Sequence, residues 1–436
     1  MSTIERLAID GGRPLVSPGR HRAWPDVTTE DRRAVLAVLD RGVLCGASAP
    51  EILALQDEWA EYLGVEHCLA LNSGTAALHC CLAAAGVGPG DEVIVPAYTF
   101  SATAMAVVHQ GATPVFVDVH PRSYNIDPAR VEEKIGERTR AVVPVHLHGL
   151  PADMEEIQAI AARHGLAVIE DAAQSHGATY RGRKTGTLAV CAGFSLNATK
   201  NLSGGEGGLF VTSDPAALAV ARRLSVFGED VPPLEPGELR AYWSHGVGWN
   251  YRNQELASAF ARSQLRRLDG YNARAQANAA VLGEGLSKLR GVLPPEVPDD
   301  RTSVFYKYRL RLDPAALGFD GDATGLRDRV IQALRAEGVE AGVWQVHPLP
   351  ENPAFRRTLR PWHPAWDDEP LAPFDRAEYA ETCRLLDESL ILGSEPAPLF
   401  VQDAELMRDY VAAFEKVLAN LEALLELPVA PVPLRY

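Results

Sequence analysis

Between residues 68 and 212 short apolar runs alternate with stretches of helical periodicity. The runs are CLAL at 68 to 71, EVIVP at 92 to 96, TPVFVDV at 113 to 119, RAVVPVHL at 140 to 147, LAVIED at 166 to 171, AGFSL at 192 to 196 and GGLFVT at 207 to 212. Segments 75 to 85, 101 to 109, 152 to 164 and 214 to 224 read as helices between them. Strands apolar on both faces need cover on both faces, so the pattern predicts an α/β class with a mostly parallel sheet between helices. A first helix is expected from about Thr28, where Thr28 and Asp31 form a capping-box pair.

Beyond about residue 265 the pattern changes to a long polar helix from Leu256 to Leu289, a strand at 305 to 312, a helix from Thr324 to Glu337 and an amphipathic helix from Asp403 to about Glu426. A chain of 436 residues exceeds one core at roughly 150 residues per domain. Two domains are therefore expected, 1–265 and 266–436. The stretch 347 to 374 is rich in Pro and Trp and reads as irregular.

Charge and cysteine content exclude several classes. A net charge of −15 leaves no electrostatic footprint for nucleic acid or an anionic membrane. The six cysteines have no CxxC spacing, which points to a reducing compartment. The start MSTIERLAIDGGRP carries Glu5, Arg6 and Asp10 where a signal peptide needs apolar residues, and no run approaches the ~18 apolar residues of a membrane span. A soluble, cytoplasmic protein is expected.

Four places at predicted strand ends carry chemistry. Lys200, one of only six lysines, follows a strand in AGFSLNATKNLSGGEGG instead of sitting on a solvated helix face; a solvated loop lysine is the ordinary alternative. Asp171 ends VIED, with Gln174 and His176 close behind. A carboxylate there suits a cofactor ring nitrogen that must stay protonated, or simply caps a helix. In LNSGTAALHCC, Asn72, Ser73, Gly74 and Thr75 lead from strand to helix, an outline that suits a phosphate or plain capping. Tyr98 and Phe100 follow EVIVP, where a ring can stack on a planar cofactor or pack in the core. Alternation on the strand ending RAVVPVHLH places His146 and His148 on one face, yet no HExxH and no third ligand accompany them, so no catalytic metal is expected. The glycines at 204, 205, 207 and 208 form neither GxGxxG nor a Walker sequence.

Taken in order, NSGTAAL, PAYTFSATA, IEDAAQSHGA, FSLNATKNLSGGEGG and GWNYRNQELASA resemble the motifs of the pyridoxal-phosphate-dependent DegT/DnrJ/EryC1/StrS sugar and cyclitol aminotransferase family. The resemblance implies fold type I: a large α/β domain with a seven-stranded, mainly parallel sheet, and a smaller α+β carboxyl-terminal domain. It further implies pyridoxal 5'-phosphate as cofactor and a homodimer with shared active sites. Carried over by motif, Lys200 is the Schiff-base lysine and proton shuttle, and Asp171 pairs with the pyridine nitrogen. Gln174 lies on the ring-hydroxyl side, Phe100 stacks on the ring, Gly74, Thr75 and Ser195 take the phosphate, and Asn250 reaches the phosphate of the neighbouring subunit.

Family members that dehydrate sugars carry histidine at the lysine position, so Lys200 favours transamination. The stretch from Val343 through Pro373 and CRLLDESLILGSEPAP look more like the branch acting on keto-cyclitols and aminoglycoside precursors than the shorter nucleotide-sugar branch. Trp344, Gln345 and His347 are where acceptor contacts are expected. The expected activity is transfer of an amino group from L-glutamine or L-glutamate to a ketone on a cyclitol or sugar, in antibiotic biosynthesis of the aminoglycoside type. A nucleotide-diphosphate keto-sugar acceptor is the alternative, and a non-catalytic cofactor-binding regulatory or accessory protein the remoter one.

Overall fold

The apolar runs form a sheet whose two faces alternate residue by residue. In the computed structural model, which describes residues 5–46, 49–230, 242–357 and 371–426, the strands are β1 (His67–Leu71), β2 (Glu92–Pro96), β3 (Thr113–Val117), β4 (Thr139–Val142), β5 (Ala167–Asp171), the short hairpin β6 (Thr179–Tyr180) and β7 (Arg183–Lys184), β8 (Cys191–Ser195) and β9 (Gly208–Thr212). All but the hairpin join one seven-stranded sheet in the order β1-β9-β8-β5-β4-β2-β3. The pairs β3·β2, β2·β4, β4·β5 and β5·β8 are parallel, and β9 runs antiparallel to both neighbours.

The helices are α1 (Thr29–Arg41), α2 (Pro50–Leu63), α3 (Gly74–Ala84), α4 (Ala102–His109), the single turn α5 (Pro128–Val131), α6 (Met154–His164), α7 (Pro215–Ser225), α8 (Glu255–Leu265) and α9 (Leu268–Leu286). One face of the sheet, with Val93, Val95, Ile169, Cys191 and Phe210, packs on α3, α4 and α7. The other face, with Cys68, Ala70, Ala192, Phe194, Leu209 and Val211, packs on α2 and α8. Neighbouring strand residues thus enter opposite cores, as the period of two requires. The capping box at α1 forms, with Thr28 and Asp31 satisfying each other's backbone N–H groups.

A second, antiparallel sheet has the order β10-β11-β13-β12, from β10 (Val292–Leu293), β11 (Tyr308–Leu312), β12 (Ala341–Gly342) and β13 (Ser389–Leu392). Its core is closed by α9 together with α10 (Ala323–Ala336), α12 (Ala404–Ala419) and α13 (Leu421–Glu426), while α11 (Ala380–Glu388) leads directly into β13. Leu7 and Val16 also lie in this second core. The amino-terminal segment therefore crosses the division into 1–265 and 266–436.

Two expectations are corrected. The strand expected over 140 to 147 stops at Val142, because Pro144 has no N–H for the ladder; only an isolated bridge from Val145 to Asp171 continues it. The helix expected from Leu256 to Leu289 is broken at Arg266 and Arg267 into α8 and α9, since Leu268 packs in the first core and Leu282 and Leu286 in the second. Arg267 ties this break to Asp31 of α1 at 2.7 Å. Within CRLLDESLILGSEPAP the run SLIL is the central strand β13. Residues 358–370 of the Pro- and Trp-rich stretch lie outside the described residues. Among the described residues no helix is long and apolar enough to cross a membrane.

Candidate active site

Lys200 stands at the tip of the loop that turns β8 back into antiparallel β9. The limbs of the loop are held by Leu196 N–H to Gly207 O (2.9 Å), Gly204 N–H to Leu196 O (2.7 Å) and Ala198 N–H to Gly205 O (2.7 Å). The Trp24 indole N–H donates to Ala198 O at 2.7 Å and fixes the tip from the amino-terminal segment. Lys200 is half-buried, and its Nζ lies 3.3 Å from the Tyr306 hydroxyl.

Asp171 ends β5 at the same rim and is only 4% exposed. Its carboxylate accepts from the Thr103 hydroxyl (2.7 Å) and the Ala173 N–H (3.1 Å). Burial raises this carboxyl above the ordinary aspartate value, against the two hydrogen bonds and the charge of Lys200. A carboxylate so deprived of water gains most when a protonated ring nitrogen is set against it. Gln174 is buried, and its Oε1 accepts the backbone N–H of His148 at 2.7 Å, which leaves its NH2 group as the free donor.

At the end of β1, Ser73 caps α3 by accepting the Ala76 N–H (3.1 Å), so the N–H groups of the first turn face the rim. Close approach here requires glycine twice. A Cβ on Gly74 would stand 2.9 Å from the Ser195 Cβ, and one on Gly208 would stand 2.2 Å from the Ser73 carbonyl oxygen. Thr75 and Ser195 are both half-buried beside this turn. Phe100 follows β2 and is 56% exposed, unlike the fully buried Tyr98 two residues before it; an apolar ring left open at a strand-end rim is what a planar ligand would cover. Asn250 is exposed, and its carbonyl accepts from the Asn72 side chain at 3.2 Å, next to the same helix start.

The histidine pair is not a ligand pair. His146 accepts the Ala152 N–H at Nδ1 (3.1 Å) and donates from Nε2 to the buried Glu170 (2.9 Å). His148, past the end of the strand, has left-handed backbone geometry (φ 56°) and faces Arg309 instead. Among the described residues no group of three His, Cys, Asp or Glu is placed to hold a metal. The ring of Trp344 lies 5.0 Å from His148 and 5.6 Å from Tyr98, and Gln345 donates to Thr99 O at 2.8 Å, so both stand over the segment leading to Phe100. His347 is exposed and pairs with Glu351.

Sequence reasoning missed a set of residues from the second sheet. Lys307 and Arg309 are i, i+2 neighbours at the start of β11, opposite in direction to Tyr308 and Leu310, which enter the second core. Arg309 is 3% exposed and donates from Nε to His148 Nε2 (3.1 Å), and also to Ser389 Oγ and the Tyr98 hydroxyl. Burial, with Arg309, Lys307 and Lys200 nearby, holds His148 well below the ordinary histidine value, so it is neutral and free to accept. In the sequence KYRLR alternates charge with apolar residues, the pattern of a strand with one face in water, so nothing local marked these residues as part of the site.

The residues fit pyridoxal 5'-phosphate: a buried carboxylate, a lysine at the same rim, an open aromatic ring, and a helix start so tightly packed that a methyl group at Gly74 has no room. The sequence profile of the DegT/DnrJ/EryC1/StrS aminotransferase family matches residues 25–362. GDP-perosamine synthase of Caulobacter vibrioides is 41% identical over 351 residues, covering 80% of this chain and 89% of that protein. L-glutamine:2-deoxy-scyllo-inosose aminotransferase of Streptomyces lividus is 37% identical over 436 residues, covering 95% and 98%. The crystal structure of Streptomyces venezuelae DesV in complex with a ketimine intermediate superposes with a TM-score of 0.75 at 33% identity, covering 90% of this chain and 94% of that one.

Proposed function

Because the chain belongs to the DegT/DnrJ/EryC1/StrS aminotransferase family, and is thus a pyridoxal-phosphate-dependent aminotransferase of fold type I with a small-molecule substrate, we propose that it moves an amino group from L-glutamine or L-glutamate to a ketone on a free cyclitol. The observation that carries this reading is length. The match to the scyllo-inosose aminotransferase runs through 95% of this chain and 98% of that protein, whereas the match to the perosamine synthase covers 80% and 89%. The second reading, a nucleotide-diphosphate keto-sugar acceptor, is favoured by the higher identity of that shorter match, 41%.

Bound cofactor supplies an aldehyde that condenses with amines and a conjugated ring that accepts an electron pair. In the proposed roles, Lys200 Nζ holds the aldehyde carbon and afterwards moves a proton at the substrate carbon. Asp171 holds a proton at the ring nitrogen, oriented by Thr103 and Ala173. Gln174, its Oε1 taken by His148, donates to the ring hydroxyl side. Gly74, Thr75 and Ser195 bind the phosphate at the start of α3, and Phe100 covers the ring and excludes water. Asn250 completes the phosphate site of a second copy, so the working form is a homodimer in the cytoplasm.

Offered a donor, the purified protein is expected to aminate a free keto-inositol faster than a nucleotide-linked keto-sugar. The opposite preference would establish the second reading. A Lys200→Ala variant that still formed the lysine-bound absorbance band would remove Lys200 from its role.

A further inference from the structure

Lys200 carries its side chain from the large sheet, but what it touches comes from the second. Nζ lies 3.3 Å from the Tyr306 hydroxyl and 4.3 Å from the centroid of its ring. Among the described residues no carboxylate stands within ion-pair distance of Nζ, and the phenol is its hydrogen-bond partner. Tyr306 is itself fixed. It is 5% exposed, its hydroxyl lies 3.1 Å from the Thr199 hydroxyl, and the Lys307 ammonium approaches its ring at 4.9 Å. Thr199 in turn is held by Asn197 Oδ1 at 3.0 Å, within the same loop that presents the lysine.

A lysine released from covalent attachment has four rotatable bonds, and wandering among their rotamers would slow its return to the reacting carbon. We propose that Tyr306 is a positioning residue for Lys200: its phenol oxygen accepts from the free lysine and keeps Nζ at the rim between covalent engagements. Burial alone would push the phenol upward in pKa, but Lys200, Lys307 and the Thr199 bond outweigh it and hold it below the ordinary tyrosine value. An oxygen of that character is a strong acceptor for an ammonium. The inference rests on Lys200 being the cofactor lysine.

The test exploits the two forms of the cofactor. Capture of the aldehyde form joins Nζ to the aldehyde carbon with loss of one water, after the ammonium has given a proton to solvent. Pyridoxamine 5'-phosphate has no aldehyde, so its affinity reports the pocket without the lysine bond. Tyr306→Phe keeps the ring and removes the acceptor. In cofactor-free protein it should slow covalent capture of pyridoxal 5'-phosphate about tenfold, the loss of one bond to a charged group, while pyridoxamine 5'-phosphate affinity stays within about twofold of wild type. Thr199→Val, which only loosens the phenol, should slow capture about threefold. Capture by Tyr306→Phe at the wild-type rate overturns the proposal, and so does an equal loss for both cofactor forms, which would mean a packing role. Borohydride reduction of the wild type followed by peptide mapping separates the two levels: label at a residue other than Lys200 removes the underlying reading, whatever Tyr306 does.

Discussion

Gly208→Ala tests whether the first turn of α3 is the phosphate site. The added Cβ would stand 2.2 Å from the Ser73 carbonyl oxygen and 2.6 Å from the Gly74 nitrogen. Retreat of β9 is blocked on both sides, since Gly208 pairs with Leu71 of β1 and Ser195 of β8. Relief therefore comes from Ser73 and Gly74, which must shift by about an ångström, at a cost of about 1–3 kcal/mol typical of overpacking. That cost appears in one of two places. If the turn stays put, the strain lowers stability in both the free and the loaded protein. If it yields, its N–H groups leave their positions, and at 1.4 kcal/mol per factor of ten cofactor affinity falls about five- to a hundredfold. Titration of the cofactor-free variant with pyridoxamine 5'-phosphate, alongside a thermal melt, reads both. Wild-type affinity together with a wild-type melting temperature would refute the close-packing argument; a lowered melting temperature with intact affinity would mean that the turn holds its place under strain, and a loss of affinity would mark the turn as part of the phosphate site.

Phe100→Ala removes a ring that is 56% exposed, so stability in the cofactor-free state should change by less than about 0.5 kcal/mol, while cofactor affinity falls about three- to tenfold with the loss of stacking; a titration and a melt check the pair. For Asp171 the sign runs with burial: its carboxyl is raised in the folded chain, so ionisation costs stability as pH rises through the folded value. Asp171→Asn should therefore gain on the cofactor-free wild type in melting temperature as pH increases from acid toward neutral, and a difference constant with pH would contradict this. Asp403 caps α12 through the Leu406 N–H (3.0 Å) and pairs with Arg20 at 2.6 Å, and the Arg20 bond is the main cause that lowers its pKa to about 2. Asp403→Ala should cost about 1–2 kcal/mol at neutral pH, an effect lost as pH falls from the ordinary carboxylate range toward 2; denaturant melts across that range measure it.

The first sheet was legible because each of its strands is apolar on both faces, a pattern that a helix or a half-exposed strand does not produce. EVIVP is an example: it forms β2 with the bounds its sequence suggests. RAVVPVHL misled because apolar character continues past Pro144, while the ladder needs a donor that proline lacks. The rim residues Lys200, Asp171 and Gly74 were visible as odd residue types at strand ends. Tyr306, Lys307 and Arg309 were not, because a charged and apolar alternation such as KYRLR normally marks a strand with one face in water. Here the charged face meets Tyr98 and His148 from the first sheet, a contact between segments more than 150 residues apart that no local pattern encodes.

The placement of Leu7 and Val16 in the second core bears on the order of events during synthesis. Their neighbours in that core include Leu406, Phe414 and Leu424, Lys416 Nζ donates to Arg13 O at 2.9 Å, and Asn420 donates to Glu5 O at 3.1 Å. Residues made early thus have partners made about 400 residues later. The seven-stranded sheet, complete once Thr212 has emerged, is free to condense cotranslationally, whereas the second core joins residues more than 400 positions apart and closes only after Leu424 has emerged. Until then the leading segment trails unsatisfied, and its anchor for Ala198, the indole of Trp24, is not yet tied down. Competence of the lysine loop should therefore lag behind formation of the sheet that carries it.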